Sequence, residues 1–248
     1  QTETSNSPSE NESFISISGK LAQAYVDNAT IILDRKLSGG HKGNCTQDAG
    51  EGKTHSDPFG VFSISASHHD FVICTIRGTY KNSKGNNVPA SPMLAPTPDS
   101  SNSAWNVTPL TTLVTTHPEL KNKLDEMGGW NADIASPEGV PGRLLRLAKT
   151  VETFDEMTKQ INQGDQQRLK AMEYLANSFK LNGVSTDNTT LLTSVKIALH
   201  NAMSDTEIIP TGSDAQSLSE EAILDQIENV LTEGVFSAIK NTDVTVVE

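Results

Sequence analysis

Apolar positions in the first hundred residues alternate with polar ones in short runs, as in β-strands that bury one face. Turns rich in Gly, Asn and Asp separate these runs. Several short strands joined by such turns predict a β-sandwich over residues 14–98. The predicted strands are 14–19, 29–34, 60–65 and 71–76, and a hairpin turn is predicted at 81–86.

The apolar spacing changes to three and four residues from position 107, which is the period of an α-helix. Thr108 followed by Pro109 has the composition of a helix start. A capping box, Ser217 with Glu220, opens the last of the stripes. The predicted helices are 109–117, 119–127, 143–162, 165–181, 189–203 and 218–239.

The two patterns divide the chain into a β-rich part and a helical part, so the predicted fold class is α+β. An N-terminal β-sandwich (14–98) is followed by a linker (99–106) and an α-helical bundle (107–242). A polar arm, 1–13, precedes the sandwich, and 243–248 returns to the composition of a short C-terminal strand.

The charge balance excludes some partners. With 19 Lys+Arg against 31 Asp+Glu the formal net charge is −12, which argues against binding to nucleic acid or to an anionic membrane surface. No apolar run has the roughly 18–20 residues that span a bilayer. The polar start at Gln1 is what a removed signal peptide would leave, and we expect a secreted or cell-surface protein.

The two cysteines, Cys45 and Cys74, fall in segments that resemble neighbouring β elements. A disulfide between them would reinforce an existing core, because two cysteines in 248 residues do not make a disulfide-built scaffold. Two buried free thiols are the alternative.

The loop after the second predicted strand concentrates oxygen-bearing side chains on a glycine-rich backbone. Carboxylate and amide oxygens are the ligands that Ca²⁺ prefers, so calcium is the candidate cofactor. The alternative is a solvated acidic loop in which Asp and Asn cap turns. The candidate ligands are Asp34, Asn44, Asp48, Glu51 and Asp57.

This loop, 43–51, followed by Thr54, Asp57 and the run 60–64, resembles the carboxypeptidase-regulatory-like, Cna-B-like and Sdr-B-like modules of bacterial surface proteins. The segment 107–114 (Val-Thr-Pro-Leu-Thr-Thr-Leu-Val) is similar to one that follows such modules and opens a helical region. The resemblance implies an immunoglobulin- or transthyretin-like sandwich and a structural or adhesive role, with no established shared catalytic residues.

Candidate catalytic groups are few. His68 and His69 are adjacent, so on a strand they would point to opposite faces. His41 and His55 flank the acidic loop, and haem attachment is excluded because Cys-x-x-Cys-His is missing. The carboxylate pairs Asp155/Glu156 and Glu220/Glu221 are expected to be solvated helix positions. We therefore predict that the protein is not an enzyme.

The predicted function is an extracellular structural or adhesive protein that forms a homo-oligomer or homopolymer. Strand-like segments near both ends could complete the sheet of a neighbouring copy, giving a filament or a surface layer. Pairing of both segments within their own chain is the alternative. A ligand- or carbohydrate-binding module or a scaffold is the second function, and a hydrolase the third. The candidate assembly residues are Phe14, Ile15, Ile17, Val244 and Val246.

Overall fold

The computed structural model describes residues 14–35, 45–66, 71–82, 84–136, 138–184 and 187–210, together with 221, 222 and 225. Within these residues all strands precede all helices, which confirms a mixed α and β protein built from antiparallel sheets. The strands are β1 (Ile15–Lys20), β2 (Thr30–Arg35), β3 (Lys53–His55), β4 (Val61–Ala66), β5 (Phe71–Ile76), β6 (Thr79–Lys81), β7 (Asn87–Pro89) and β8 (Met93–Pro96).

Two sheets share one hydrophobic cluster. β1 pairs with β4, and the larger sheet has the order β3-β2-β5-β8, while β6 and β7 form a separate hairpin. Strict alternation in β4, where every second residue is buried, explains why its apolar side chains lie on one face. The cluster unites Ile17 and Phe62 of the small sheet with Ile31, Leu33 and Ile73 of the large one.

Strand β1 has neighbours on both sides. Its antiparallel partner β4 runs from Ile15 opposite Ala66 to Lys20 opposite Val61. On its other side the Asn102 carbonyl accepts the Ser18 N–H, and the Trp105 N–H donates to the Ser18 carbonyl, both at 2.9 Å. The predicted linker 99–106 therefore lies along β1 for much of its length.

The helices follow the predicted apolar stripes closely, and none in the described ranges is long and apolar enough to cross a membrane. Thr108 caps the first helix, its side chain accepting the N–H groups of Leu110 and Thr111. The predicted helix 218–239 lies outside the described residues except for 221, 222 and 225, and the segments 1–13 and 243–248 lie outside them entirely. The helices are α1 (Pro109–Thr116), α2 (Leu120–Met127), α3 (Gly142–Ile161), α4 (Asp165–Asn182) and α5 (Asn188–Met203).

The larger sheet lies between the small sheet and the helices. One face of β5 and β8 enters the cluster shared with β1 and β4, through Ile73 and Ala95. The opposite face presents Cys74 and Leu94, which pack against Leu169 of α4. This arrangement makes the β-rich and helical parts one continuous body with a buried boundary.

Candidate functional site

The two cysteines form a disulfide, as predicted, and the alternative of free thiols is wrong. Cys45 and Cys74 are joined with a Cα–Cα distance of 5.6 Å. Both are buried, and Leu169 of α4 completes their cluster. The bridge ties the acidic loop to the central strand β5 and places both against a helix.

Carboxylates of the acidic loop hold its backbone. Asp34 is buried at the end of β2 and accepts the Cys45 N–H at 2.6 Å. Glu51 accepts the N–H groups of Arg35 and Asp48 through its two oxygens, each at 2.8 Å. Burial raises the pKa of the Asp34 carboxyl; the Cys45 N–H opposes this, while the charges of Glu51 and Asp48 add to it. Asp34, Asp48 and Glu51 therefore lie close together.

Of the other two candidate calcium ligands, only Asp57 is among the described residues. Asp57 follows β3, whereas Glu51 precedes it, and one Asp57 oxygen accepts the N–H groups of Phe59 (2.8 Å) and Val61 (2.9 Å). Asp57 thus caps a turn, and Asn44 lies outside the described residues. No group of three His, Cys, Asp or Glu residues in the described ranges is placed to hold a metal ion. Calcium stays a prediction from the sequence.

The structure describes three of the five candidate assembly residues, and two of these three are buried. Ile15 and Ile17 are buried against β4 of the same chain, so the first segment pairs within its own chain, the alternative held open above. Phe14 is 66% exposed at the start of β1. Val244 and Val246 lie outside the described residues.

A buried polar cluster fastens the β-rich part to the helices, and the sequence analysis did not identify it as a site. The Arg168 guanidinium of α4, 4% exposed, pairs with Asp155 of α3 at 2.8 Å and donates to the Ser91 hydroxyl at 2.7 Å. Ser91 donates to Asp155, and Ser91 and Gln23 bond to each other twice. The residues come from α3, α4 and two loops of the β-rich part.

Two further carboxylates of α3 belong to this cluster. Glu152 and Glu156 are one helical turn apart, and each has a buried oxygen without a hydrogen-bond partner. Burial is the largest cause that raises the pKa of both carboxyls. Burial followed by the charges of Glu156, Glu152 and Asp155 raises the pKa of Tyr80 to about 12.

The expectation of solvation is wrong for Asp155, whereas Glu156 is partly buried. Asp155 is 5% exposed, and its partner Arg168 lies thirteen positions away on the next helix. The signal in the sequence is its position: Asp155 lies one helical turn after Val151, next to the apolar stripe of α3. A carboxylate beside a buried stripe needs a cation from another element.

A second joint lies near the predicted linker. Trp105 and Trp130 make an edge-to-face contact with ring centroids 5.2 Å apart. Asn106 and Asn131 exchange side-chain and backbone hydrogen bonds beside them. These contacts join the segment 99–106, which lies along β1, to the segment after α2.

Known proteins give little help with identity. No family model matches the chain, and no curated protein does. Among solved structures, a 9R-lipoxygenase from Cyanothece PCC8801 aligns at 12% identity with a TM-score of 0.22. The alignment covers 79% of this chain and 28% of that one, so the chain spans less than a third of the lipoxygenase. A TM-score this low carries no argument about fold or activity.

Proposed function

We propose that the protein is a secreted or cell-surface structural or adhesive subunit. The observation that carries the proposal is the buried Cys45–Cys74 disulfide, packed on Leu169. Disulfides persist in oxidising, extracytoplasmic surroundings. The two facing sheets also support an immunoglobulin- or transthyretin-like sandwich followed by a helical bundle, the architecture that the surface-module resemblance implies.

The proposal includes self-assembly by exchange of β1 between copies. A β1 strand from a neighbouring copy would make the same contacts with β4 and with 101–107 as the strand that it replaces. Exchange of identical elements between copies therefore costs little free energy once the strand has left its own chain. The position between β4 and the segment 101–107 accepts a strand in one register only. A Cβ at Gly19 would lie 2.1 Å from the Trp105 carbonyl oxygen, so the incoming strand needs glycine there.

This register argues for β1 rather than the C-terminal segment as the exchanged strand. Residues 243–248 contain Val244 and Val246 but no glycine, so they cannot reproduce the Ile-x-Ile-x-Gly pattern of 15–19. We therefore assign the donor role to 15–20, with Ile15 and Ile17 as buried anchors. Any pairing of Val244 and Val246 with a neighbour would have to use another edge.

A cysteine pair tests the exchange directly. Ser18 faces Ser63 across β1 and β4, and the backbone groups of Ser18 bond to Asn102 and Trp105 instead of β4. The pair is thus a non-hydrogen-bonded one, in which the side chains approach closely enough for a disulfide. In material purified without denaturation, Ser18→Cys/Ser63→Cys should give a ladder of cross-linked chains on a non-reducing gel.

The single variant Ser18→Cys is the matched control and should give no ladder. Negative-stain microscopy of the same material should show filaments or sheets. Filaments with cross-links confined within single chains would overturn exchange of β1 and leave assembly standing. Monodisperse particles at every protein concentration would contradict self-assembly itself.

A ligand-binding or carbohydrate-binding role is the second candidate, and one observation favours it. Phe59 is 70% exposed on a turn that Asp57 holds through two hydrogen bonds. A rigid, exposed aromatic ring is a surface on which a sugar or an apolar side chain can stack. Binding on a glycan array that Phe59→Ser abolishes would support this role, and no binding to any glycan would argue against it.

A further inference from the structure

The buried joint between the two parts of the chain carries more negative than positive charge. Glu152, Asp155 and Glu156 of α3 supply three carboxylates to it, and the Arg168 guanidinium of α4 pairs with Asp155. Lys149 of the same helix pairs with Glu152, and the charge of Lys159 opposes the rise in the pKa of Glu156. Ser91, two residues after β7, donates to Asp155, and burial followed by the charges of the three carboxylates raises the pKa of Tyr80 in the β6–β7 hairpin.

Asp155 is the carboxylate whose charge is best compensated by its neighbours. It bonds to both Arg168 and Ser91, and a buried guanidinium without a carboxylate would be strongly unfavourable. Glu152 and Glu156 are less well compensated. One oxygen of Glu152 accepts from Lys149 at 2.5 Å, but the other oxygen, and one of Glu156, is buried without a partner.

Unpartnered buried oxygens identify where protons would be taken up. A carboxylate oxygen excluded from water has lost its hydration. A protonated carboxyl group in the same place is neutral, so its burial costs less free energy, and it can donate a hydrogen bond. Neutral groups also remove the repulsion between Glu152, Asp155 and Glu156.

We propose that Glu152 and Glu156 form a proton-binding cluster that makes the packing of the β6–β7 hairpin against helix α3 more stable in mildly acidic than in neutral surroundings. The direction follows from the site. The folded state binds these protons more tightly than the unfolded state, so stability rises as the pH falls from neutral toward the ordinary range of glutamate. The proposal is independent of the assembly proposed above.

Thermal unfolding of the full chain between pH 8 and pH 5 tests it. The wild type should gain about 3 °C or more on acidification. The variant Glu152→Gln/Glu156→Gln, which keeps the shape and removes both charges, should unfold at a higher temperature at pH 8 and lose most of that gain. Glu138→Gln, at an exposed position, should retain the wild-type dependence.

Infrared spectroscopy gives a second readout that does not depend on stability. The band of protonated carboxyl groups should persist to a higher pH in the wild type than in Glu152→Gln/Glu156→Gln. Hydrogen exchange in the hairpin 79–89, corrected for the intrinsic rate, should be slower relative to the unfolded chain at pH 5 than at pH 8. A carboxyl band that disappears at the same pH in the wild type and the double variant, or an unchanged pH dependence of unfolding in the folded double variant, would overturn the proposal.

Discussion

Leu94 of β8 and Thr112 of α1 are joined by a hydrogen bond in which the Thr112 hydroxyl accepts the Leu94 N–H at 3.0 Å. The neighbouring Thr111 hydroxyl donates to the Leu94 carbonyl at 2.6 Å. β8 is the edge of the larger sheet, and unpaired edge groups invite pairing with other chains. The Thr-Pro-Leu-Thr-Thr segment thus starts a helix and closes a sheet edge with the same few residues.

Replacing Thr112 with valine should lower the free energy of unfolding by about 1–2 kcal/mol, because the partly buried N–H of Leu94 would lose its acceptor. Valine keeps the branched shape, so little packing changes. Urea unfolding followed by circular dichroism measures the loss.

Thr116→Val is the matched control for this variant. Among the described residues, the Thr116 hydroxyl bonds only to carbonyls of its own helix, those of Thr112 and Leu113. Its replacement should cost less than half as much. Equal losses in the two variants would show that the bond to Leu94 contributes no more to stability than a bond within the helix.

The fold and the site differ in how far the sequence predicts them. Helices α3, α4 and α5 and strands β1, β2, β4 and β5 were predicted because each carries its periodicity locally. β3 and β8 were missed: both are short, and the Met-Leu-Ala-Pro sequence of β8 contains no β-branched residue. β8 is held by β5 and by the threonines of α1, partners that are distant in sequence.

The buried polar joint was missed for the same physical reason. Each residue of the joint is of a type that is usually exposed, so its own segment does not mark it as buried. These residues are Asp155, Arg168, Ser91 and Gln23. Only the packing of α3 and α4 against the β-rich part brings them together. The disulfide was predictable because the chain has two cysteines and therefore one possible pairing.

Removal of the Arg168 charge should be among the most destabilising changes in the chain. Arg168→Met leaves Asp155 buried without its cation, and we expect a loss of about 3–5 kcal/mol in urea unfolding. Adding Asp155→Leu should recover part of this loss, since the Arg168–Asp155 pair then leaves no unpaired charge of its own. A double variant that is less stable than Arg168→Met would contradict the electrostatic explanation.

Loss of the disulfide should cost about 3–4 kcal/mol, because a cross-link between positions 29 residues apart restricts the unfolded chain. Cys45→Ala/Cys74→Ala tests this by chemical unfolding. Since both cysteines are buried, the native protein should also resist mild reductant and become reducible only when it unfolds. Rapid trapping of free thiols in the folded protein would contradict this placement.

Calcium binding to the acidic loop is tested by chelation. Oxygens of Asp34 and Glu51 that accept one N–H keep a second lone pair, so their present bonds do not prevent coordination. If the native protein holds calcium at a hundred times its dissociation constant, a chelator should lower the unfolding temperature by about 5 °C. Asp48→Asn should reduce that effect. Asp57→Asn should leave it unchanged, because Asp57 follows β3 and Glu51 precedes it. An unfolding temperature that is indifferent to the chelator would contradict the calcium prediction and leave these carboxylates as ties for the loop backbone.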